Sequence, residues 1–173
     1  MRLYCTTHFP KKENNLCTCY RHVPQYRKIW LTGTADLKHC QRLLQKEIEY
    51  EKIPANIDMN VTMYYTASYK EYDELLSKNV VFIDLFNASA NNAIVECIAR
   101  NTPIIVTKLD AVVEYLGADY PLYFTSLDEV PQLLTNEALY KAHMYLSAMN
   151  KDEFSISYFI KKLITIHSTA SQQ

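Results

Sequence analysis

Residues 79–124 constrain the fold more than any other part of this sequence. Four consecutive apolar residues, Val80–Ile83, form the pattern of a buried strand, and a polar segment at 87–92 follows them. A short helix carrying Glu96 comes next, and a second apolar strand begins at Pro103. This succession predicts a strand–loop–helix–strand unit with its loop at the carboxyl end of the first strand. Small ligands bind at that edge of open parallel sheets, and free amides at a helix start favour an anionic group.

Strand and helix patterns alternate through the rest of the chain. Residues 61–65 favour a strand, and residues 36–51 favour an amphipathic helix with apolar side chains at helical spacing. Two capping boxes predict two further helix starts: Ser68 with Glu71, and Ser126 with Glu129. The period of hydrophobicity therefore switches between strand and helix several times.

The ends of the chain are less regular. Residues 1–14 are polar and predict an irregular segment, whereas residues 16–20 alternate as a first strand would. Residues 26–32 fit a short helix or an extended segment, and the pattern does not separate the two. Gly117 has the position of a helix C-cap. Two closing helices are expected at residues 137–149 and 154–166.

These patterns predict a single α/β domain built from βα units. We expect a Rossmann-like fold over residues 15–170, with a parallel sheet, helices on both of its faces and closing C-terminal helices. The irregular segment at 1–14 would precede it. A chain of 173 residues with a 49% apolar share is sufficient to bury one core.

Composition and charge exclude several classes of protein. The 18 basic and 19 acidic residues give a net charge of −1, without the basic excess typical of nucleic-acid-binding proteins. No apolar run approaches the roughly 18 residues of a membrane span, and no signal-peptide core is found near the start. The sequence therefore predicts a cytoplasmic protein with reduced cysteines, which neither binds nucleic acid nor spans a membrane.

The central block resembles the donor-binding, C-terminal half of GT-B glycosyltransferases. That family has a loop, a nucleotide-contacting Glu and a Thr-Pro pair entering the next strand, and the counterparts here are residues 87–92, Glu96 and Thr102 with its proline. Residues 84–92, DLFNASANN, are similar to transferases that make microbial surface glycans. The resemblance extends over about residues 15–150. It implies binding of a nucleoside-diphosphate sugar for transfer to an acceptor hydroxyl.

Glu96 lies about one turn inside the predicted helix, at the carboxyl edge of the sheet. A carboxylate accepts two hydroxyl donors at once and so suits a ribose diol. A solvated helix acid is the alternative from spacing alone, but the resemblance assigns Glu96 to ribose. Ser89 and Asn91 stand where the family has glycines, and Asn91 or Asn92 caps the helix. The resemblance places Ser89, Asn91 and Asn92 against the diphosphate.

Three cations are candidates for neutralising that diphosphate. Arg21 follows the predicted first strand, and Arg27 and Lys28 lie close behind it. The family has Gly-Arg and then a Lys about five residues on, whereas here Tyr20 replaces the glycine and the lysine is displaced. Only two glycines occur in the chain, so side chains must assist the backbone in holding phosphates. Solvated surface cations are the alternative interpretation.

No catalytic residue is identified, and no metal or other cofactor is expected. Paired carboxylates of the kind that hold a diphosphate-bound Mg²⁺ are not found. A structural zinc site is an alternative, because soft ligands cluster near the start of the chain. Against it, the strand pattern at residues 16–20 places small side chains in the core. The ligands concerned are Cys5, His8, Cys17, Cys19 and His22.

A GT-B enzyme closes two domains around its substrates, and this chain has the length of one. An acceptor-binding domain on another chain, or self-association, would then complete a glycosyltransferase. Two alternatives remain open from the sequence. One is a non-catalytic nucleotide-binding module derived from such an enzyme, and the other is an interaction protein that keeps the fold without its ligand.

Overall fold

The structure is a computed structural model that describes most of the chain: residues 2–5, 22–31, 36–50, 52–53, 60–64, 66–85, 87 and 92–170. Six strands in these ranges form one sheet. They are β1 (Arg2–Cys5), β2 (Arg27–Leu31), β3 (Val61–Tyr64), β4 (Val80–Ile83), β5 (Ile104–Thr107) and β6 (Tyr123–Phe124). All paired strands are parallel, in the order β3-β2-β1-β4-β5-β6.

Helices connect successive strands and complete the C-terminal part. They are α1 (Leu37–Tyr50), α2 (Tyr69–Ser77), α3 (Asn92–Arg100), α4 (Asp110–Leu116), α5 (Val130–Leu133), α6 (Asn136–Ala148) and α7 (Ile156–Ala170). Two 3-10 turns, Leu127–Glu129 and Asp152–Phe154, precede α5 and α7. The predicted class, a mixed α/β fold with a parallel sheet, is confirmed, and the strand order is compatible with a Rossmann-like domain.

The crossovers determine which face of the sheet each helix covers. α1 leads outwards from β2 to β3, whereas α2, α3 and α4 lead in the opposite direction, towards β6. Because parallel crossovers are right-handed in nearly all proteins, we infer that α1 covers one face and the other three helices cover the opposite one. Contacts of α3 with both α2 and α4 agree with this arrangement.

The core lies around the middle strands. Every residue of β4 is buried, as are Ile104, Ile105 and Val106 of β5. Phe82 of β4 stacks on Phe124 of β6 with ring centroids 5.8 Å apart. Strands covered on both faces need no polar alternation, which explains the continuous apolar runs that made these strands predictable.

Most predicted elements are confirmed close to their expected positions. The strands at 61–65 and 80–83 and the helix at 36–51 are found within one residue. Within residues 26–32, which the sequence left open, Arg27–Leu31 form the extended strand β2. The predicted strand at 16–20 lies outside the described residues.

The prediction of an irregular segment at the start of the chain is wrong for residues 2–5. Residues 1–14 were expected to be irregular, but β1 lies within them and occupies the centre of the sheet. Leu3 pairs with Lys28 of β2 on one side and with Val80 of β4 on the other. Backbone pairing on both sides stabilises a strand of four residues, and so short a segment carries no periodicity by which to recognise it.

The two predicted closing helices are both present, but they differ in how much of their surface packs on the core. α6 packs on the core through buried Leu139, Ala142 and Leu146. α7 is present, but its described side chains are exposed except for that of Tyr158, which is partly buried. Among the described helices, none combines the length and the apolar character required to cross a bilayer.

Candidate functional site

Polar side chains join the carboxyl ends of β4 and β5. The Thr107 hydroxyl donates to Asp84 Oδ1 at 3.0 Å and accepts from the Leu85 backbone N–H at 2.9 Å. Asp84 and Leu85 begin the segment that leaves β4, and Thr107 ends β5. These bonds therefore fix the starting direction of the segment that leads to α3.

Glu96 is the fifth residue of α3 and is partly buried. The Tyr72 hydroxyl, on α2, donates a hydrogen bond to Glu96 Oε2 at 2.5 Å. The carboxylate therefore faces the neighbouring helix and is oriented by a phenol. An ionised carboxylate offers about four acceptor positions, so this bond leaves capacity for further hydroxyl donors.

A second pair of side chains links the same two helices. Arg100 Nε of α3 donates to Asp73 Oδ1 of α2 at 2.9 Å, and Arg100 Nη2 forms an ion pair with the same oxygen. Arg100 Nη1 also donates to the backbone carbonyl of Glu96 at 3.1 Å. The stretch of α3 around Glu96 is thus held against α2 by two independent contacts. Sequence reasoning missed them, because the partners are 24 and 27 residues apart.

The end of α3 is closed by a buried threonine and an asparagine. Asn101 has a positive φ of 57°, and the Thr102 N–H donates to the Cys97 carbonyl at 2.9 Å. The Thr102 hydroxyl donates to the Leu76 carbonyl at 3.1 Å, while Lys151 Nζ donates to Asn101 Oδ1 at 2.6 Å. The Thr of the Thr-Pro pair therefore joins the ends of α2 and α3.

The loop residues proposed to meet a diphosphate are described only in part. Asn92 is exposed and is the first residue of α3, so a capping residue would occupy the position before it. Ser89 and Asn91 lie outside the described residues. The start of α3 faces the carboxyl edge of the sheet because the helix follows β4.

Arg27 and Lys28 do not lie where the sequence predicted. They are the first residues of β2, at the amino end of the sheet, whereas α3 begins at the opposite edge. Lys28 is fully buried, and its ammonium donates to the carbonyls of Val23 at 3.2 Å, Pro24 at 3.4 Å and Tyr26 at 2.7 Å. The predicted position of Arg27 and Lys28, in a loop after a strand and facing the diphosphate, is therefore wrong.

The physical reason lies in the turn that precedes β2. The chain turns at residues 24–26 and enters the sheet at Arg27, so the two cations lie at the start of a strand and not in a loop at its carboxyl end. The lysine ammonium folds back and donates to carbonyls of this turn, which precedes the first residue of β2. Arg21 lies outside the described residues, and its proposed role stays a prediction.

The proposed soft-metal ligands are not brought together in the described residues. His22 Nδ1 lies 3.7 Å from Oδ1 of Asp128, which is an exposed residue. No group of three or more His, Cys, Asp or Glu suited to a metal is found in the part of the chain that the structure describes. His8, Cys17 and Cys19 lie outside it.

Cys97, next to Glu96 in sequence, is not a candidate nucleophile. It is fully buried, as is Cys40, and neither forms a disulfide. Burial raises the pKa of the Cys97 thiol far above its usual range, and the Glu96 carboxylate raises it further. A thiol that stays protonated at neutral pH is a poor nucleophile. Cys97 is therefore a core residue on the buried face of α3.

No protein-family model matches this chain, and no curated protein is similar to it at a significant level. Function is therefore inferred from the sheet, the motif around Glu96 and the contacts that orient that carboxylate.

Proposed function

We propose that this chain is a Rossmann-like donor-binding domain of a GT-B glycosyltransferase. It would bind a nucleoside-diphosphate sugar for transfer to an acceptor hydroxyl. The observation that carries the proposal is a partly buried, hydrogen-bonded carboxylate, Glu96, on the helix that follows β4. The strand order reverses between β1 and β4. In open parallel sheets, ligands bind outside the carboxyl ends of the strands at such a reversal.

In this proposal Glu96 accepts the ribose hydroxyls. Tyr72 holds one carboxylate oxygen in place, which reduces the freedom that the side chain would lose on binding. The first amides of α3, together with Asn92, face the diphosphate, because free N–H groups and the helix dipole favour negative charge there. Ser89 and Asn91 belong to the same loop by the family resemblance, and Arg21 remains the proposed cation.

A second candidate is a nucleotide-binding module without transferase activity. The contacts identified at the candidate site, the Glu96 carboxylate and the start of α3, account for donor binding alone. Such a module would bind donor through the same carboxylate and amides. Release of UDP or GDP from a bound nucleotide sugar, coupled to transfer of the sugar, would identify a transferase and exclude this candidate, which predicts binding without release.

Glu96→Gln is expected to weaken UDP or GDP binding roughly 10- to 100-fold. The change keeps the shape of the side chain but removes its charge, and charge-assisted hydrogen bonds contribute about 1.5–3 kcal/mol. Isothermal titration calorimetry with each nucleoside diphosphate and with its nucleoside measures the effect. Both ligands should lose affinity, because the ribose is common to them.

Glu114→Gln is the matched control for this experiment. Glu114 is an exposed acid on α4, and its replacement by Gln makes the same change of charge away from the proposed site. The Glu114→Gln variant should bind each nucleoside diphosphate with the affinity of the unchanged protein. An unchanged affinity in Glu96→Gln, with thermal unfolding also unchanged, would remove Glu96 from the site.

We also expect nucleotide binding to be insensitive to removal of divalent metal ions. The proposed site relies on helix amides and side-chain cations to meet the diphosphate, not on a bound Mg²⁺. Titration in the presence of EDTA should give the same affinity as titration with added Mn²⁺. Binding that disappears with EDTA and returns with Mn²⁺ would contradict the proposed mode of phosphate recognition.

A further inference from the structure

The C-terminal helix α7 presents a continuous apolar face to solvent. The exposed fraction of these side chains ranges from 48% for Ile160 to 78% for Ile156. The face, called here the α7 stripe, consists of Ile156, Phe159, Ile160, Leu163 and Ile164. Its spacing of i, i+3, i+4, i+7 and i+8 places all five on one side of the helix. Isolated exposed apolar residues are ordinary, but a contiguous stripe indicates an interaction surface.

The described elements of the domain leave this stripe largely exposed. The only described element that α7 contacts extensively is the 3-10 turn Asp152–Phe154 immediately before it. That turn is anchored by Phe154, whose ring stacks on Tyr115 of α4 at a centroid distance of 6.4 Å. A helix of 15 residues is marginal in water without packing, so α7 requires a partner for its apolar face.

Charge is distributed on α7 in a way that suits pairing with an identical helix. The helix contains no acidic residue, and its two lysines, Lys161 and Lys162, follow Ile160 directly. At 3.6 residues per turn, Lys161 and Lys162 lie roughly 130° from the centre of the stripe, one on each side of the helix. Two copies can therefore bring their stripes together without placing like charges at the seam.

We propose that the α7 stripe pairs with the α7 stripe of a second copy of this chain. A two-fold contact uses the same patch on both partners, which an uncharged, self-complementary stripe satisfies. With about half or more of each side chain exposed, pairing would remove roughly 1,000 Å² in total from water, near the lower limit for a specific interface. We therefore expect a reversible dimer with a dissociation constant of about 1–50 µM.

A lipid surface is a less suitable partner for this helix. Helices that lie in the membrane interface carry a polar face rich in Lys and Arg. The polar side of α7 instead combines its two lysines with Ser157, Tyr158 and Thr165. The proposal does not rest on the nucleotide site, because no α7 residue belongs to it.

Sedimentation equilibrium between about 1 and 100 µM tests the proposal on the full chain. The unchanged protein should move from monomer to dimer across this range. Leu163→Glu places a charge in the seam and should raise the dissociation constant at least 100-fold. Thr165→Glu adds the same charge on the far side of the helix and should leave the constant within about threefold. Equal thermal unfolding of both variants would show that the domain remains folded.

Three results would overturn this assignment. The first is a protein that stays monomeric at 100 µM. The second is an equal effect of Leu163→Glu and Thr165→Glu on the dissociation constant. The third is a monomer that binds vesicles of phosphatidylglycerol and phosphatidylcholine and loses that binding in Leu163→Glu, which would assign the α7 stripe to a lipid surface.

Discussion

Gly117→Ala is expected to destabilise the domain by about 2–4 kcal/mol. Gly117 ends α4 with φ 80° and ψ 157°, a backbone conformation that is essentially restricted to glycine and costs other residues about 1–3 kcal/mol. An added Cβ would also lie 2.5 Å from the Tyr145 hydroxyl oxygen. That hydroxyl donates to the Leu116 carbonyl at 2.7 Å, so it cannot move away without losing a hydrogen bond. Urea unfolding followed by circular dichroism measures the change.

Tyr145→Phe separates the two causes of this effect. Removing the hydroxyl relieves the steric contact but leaves the backbone strain at Gly117 unchanged. In the Tyr145→Phe background, Gly117→Ala should therefore cost less than in the unchanged protein, by about 1 kcal/mol. If Gly117→Ala destabilised the otherwise unchanged protein by less than about 0.5 kcal/mol, the backbone at the end of α4 would adjust without strain.

Local signals predicted this part of the fold well. The C-cap at Gly117 was expected from position alone, and the capping box of α2 was expected from the spacing of Ser68 and Glu71. Both bonds of that box form, with the Ser68 N–H donating to Glu71 Oε2 at 2.8 Å and the Glu71 N–H donating to Ser68 Oγ at 3.3 Å. Interactions within one turn depend on neighbouring residues only, so the sequence contains all their partners.

The predicted start at Ser126 is found, since Ser126 caps the 3-10 turn, but the capping box with Glu129 does not form as predicted. The Glu129 carboxylate accepts from the N–H and hydroxyl of Thr125, and Ser126 Oγ accepts from the Asp128 N–H. A 3-10 turn occupies the expected first turn, and the short helix α5 begins only at Val130. Pro131 explains the late start, because proline is favoured in the first turn of a helix. The Thr125 N–H bond nevertheless lowers the pKa of Glu129.

Long-range partners account for most of what the sequence did not predict at the candidate site. The position of Glu96 on its helix was expected and is found, but the phenol of Tyr72 that orients it was not. Asn101 and Lys151 are 50 residues apart, and neither periodicity nor spacing connects them. Hydrophobic patterns predict which face of an element is buried, whereas polar partners across elements depend on how those elements pack.

Lys28→Met is expected to destabilise the fold by about 2–4 kcal/mol. The ammonium is fully buried and donates to three backbone carbonyls of the turn before β2, the shortest bond being 2.7 Å to Tyr26. Hydrogen bonds to charged groups contribute about 1.5–3 kcal/mol. The Val23 carbonyl also accepts from the Tyr26 N–H, so it keeps a partner in the variant. Relief of lysine desolvation offsets part of this loss. Methionine nearly preserves the side-chain volume. The change in the free energy of unfolding, measured by urea denaturation, therefore reports the lost bonds less the gain from relieved desolvation.

Arg27→Met is the control, and it also tests which edge of the sheet binds the ligand. Arg27 directly precedes Lys28 in sequence. Because Arg27 is exposed, its replacement should change the free energy of unfolding by less than about 0.5 kcal/mol. Both variants, when folded, should bind UDP and GDP as the unchanged protein does, because β2 begins at the edge opposite to α3. If Arg27→Met weakened the diphosphate more than the nucleoside, Arg27 would reach the phosphates. The ligand would then lie at the amino edge, and Glu96 would not bind its ribose.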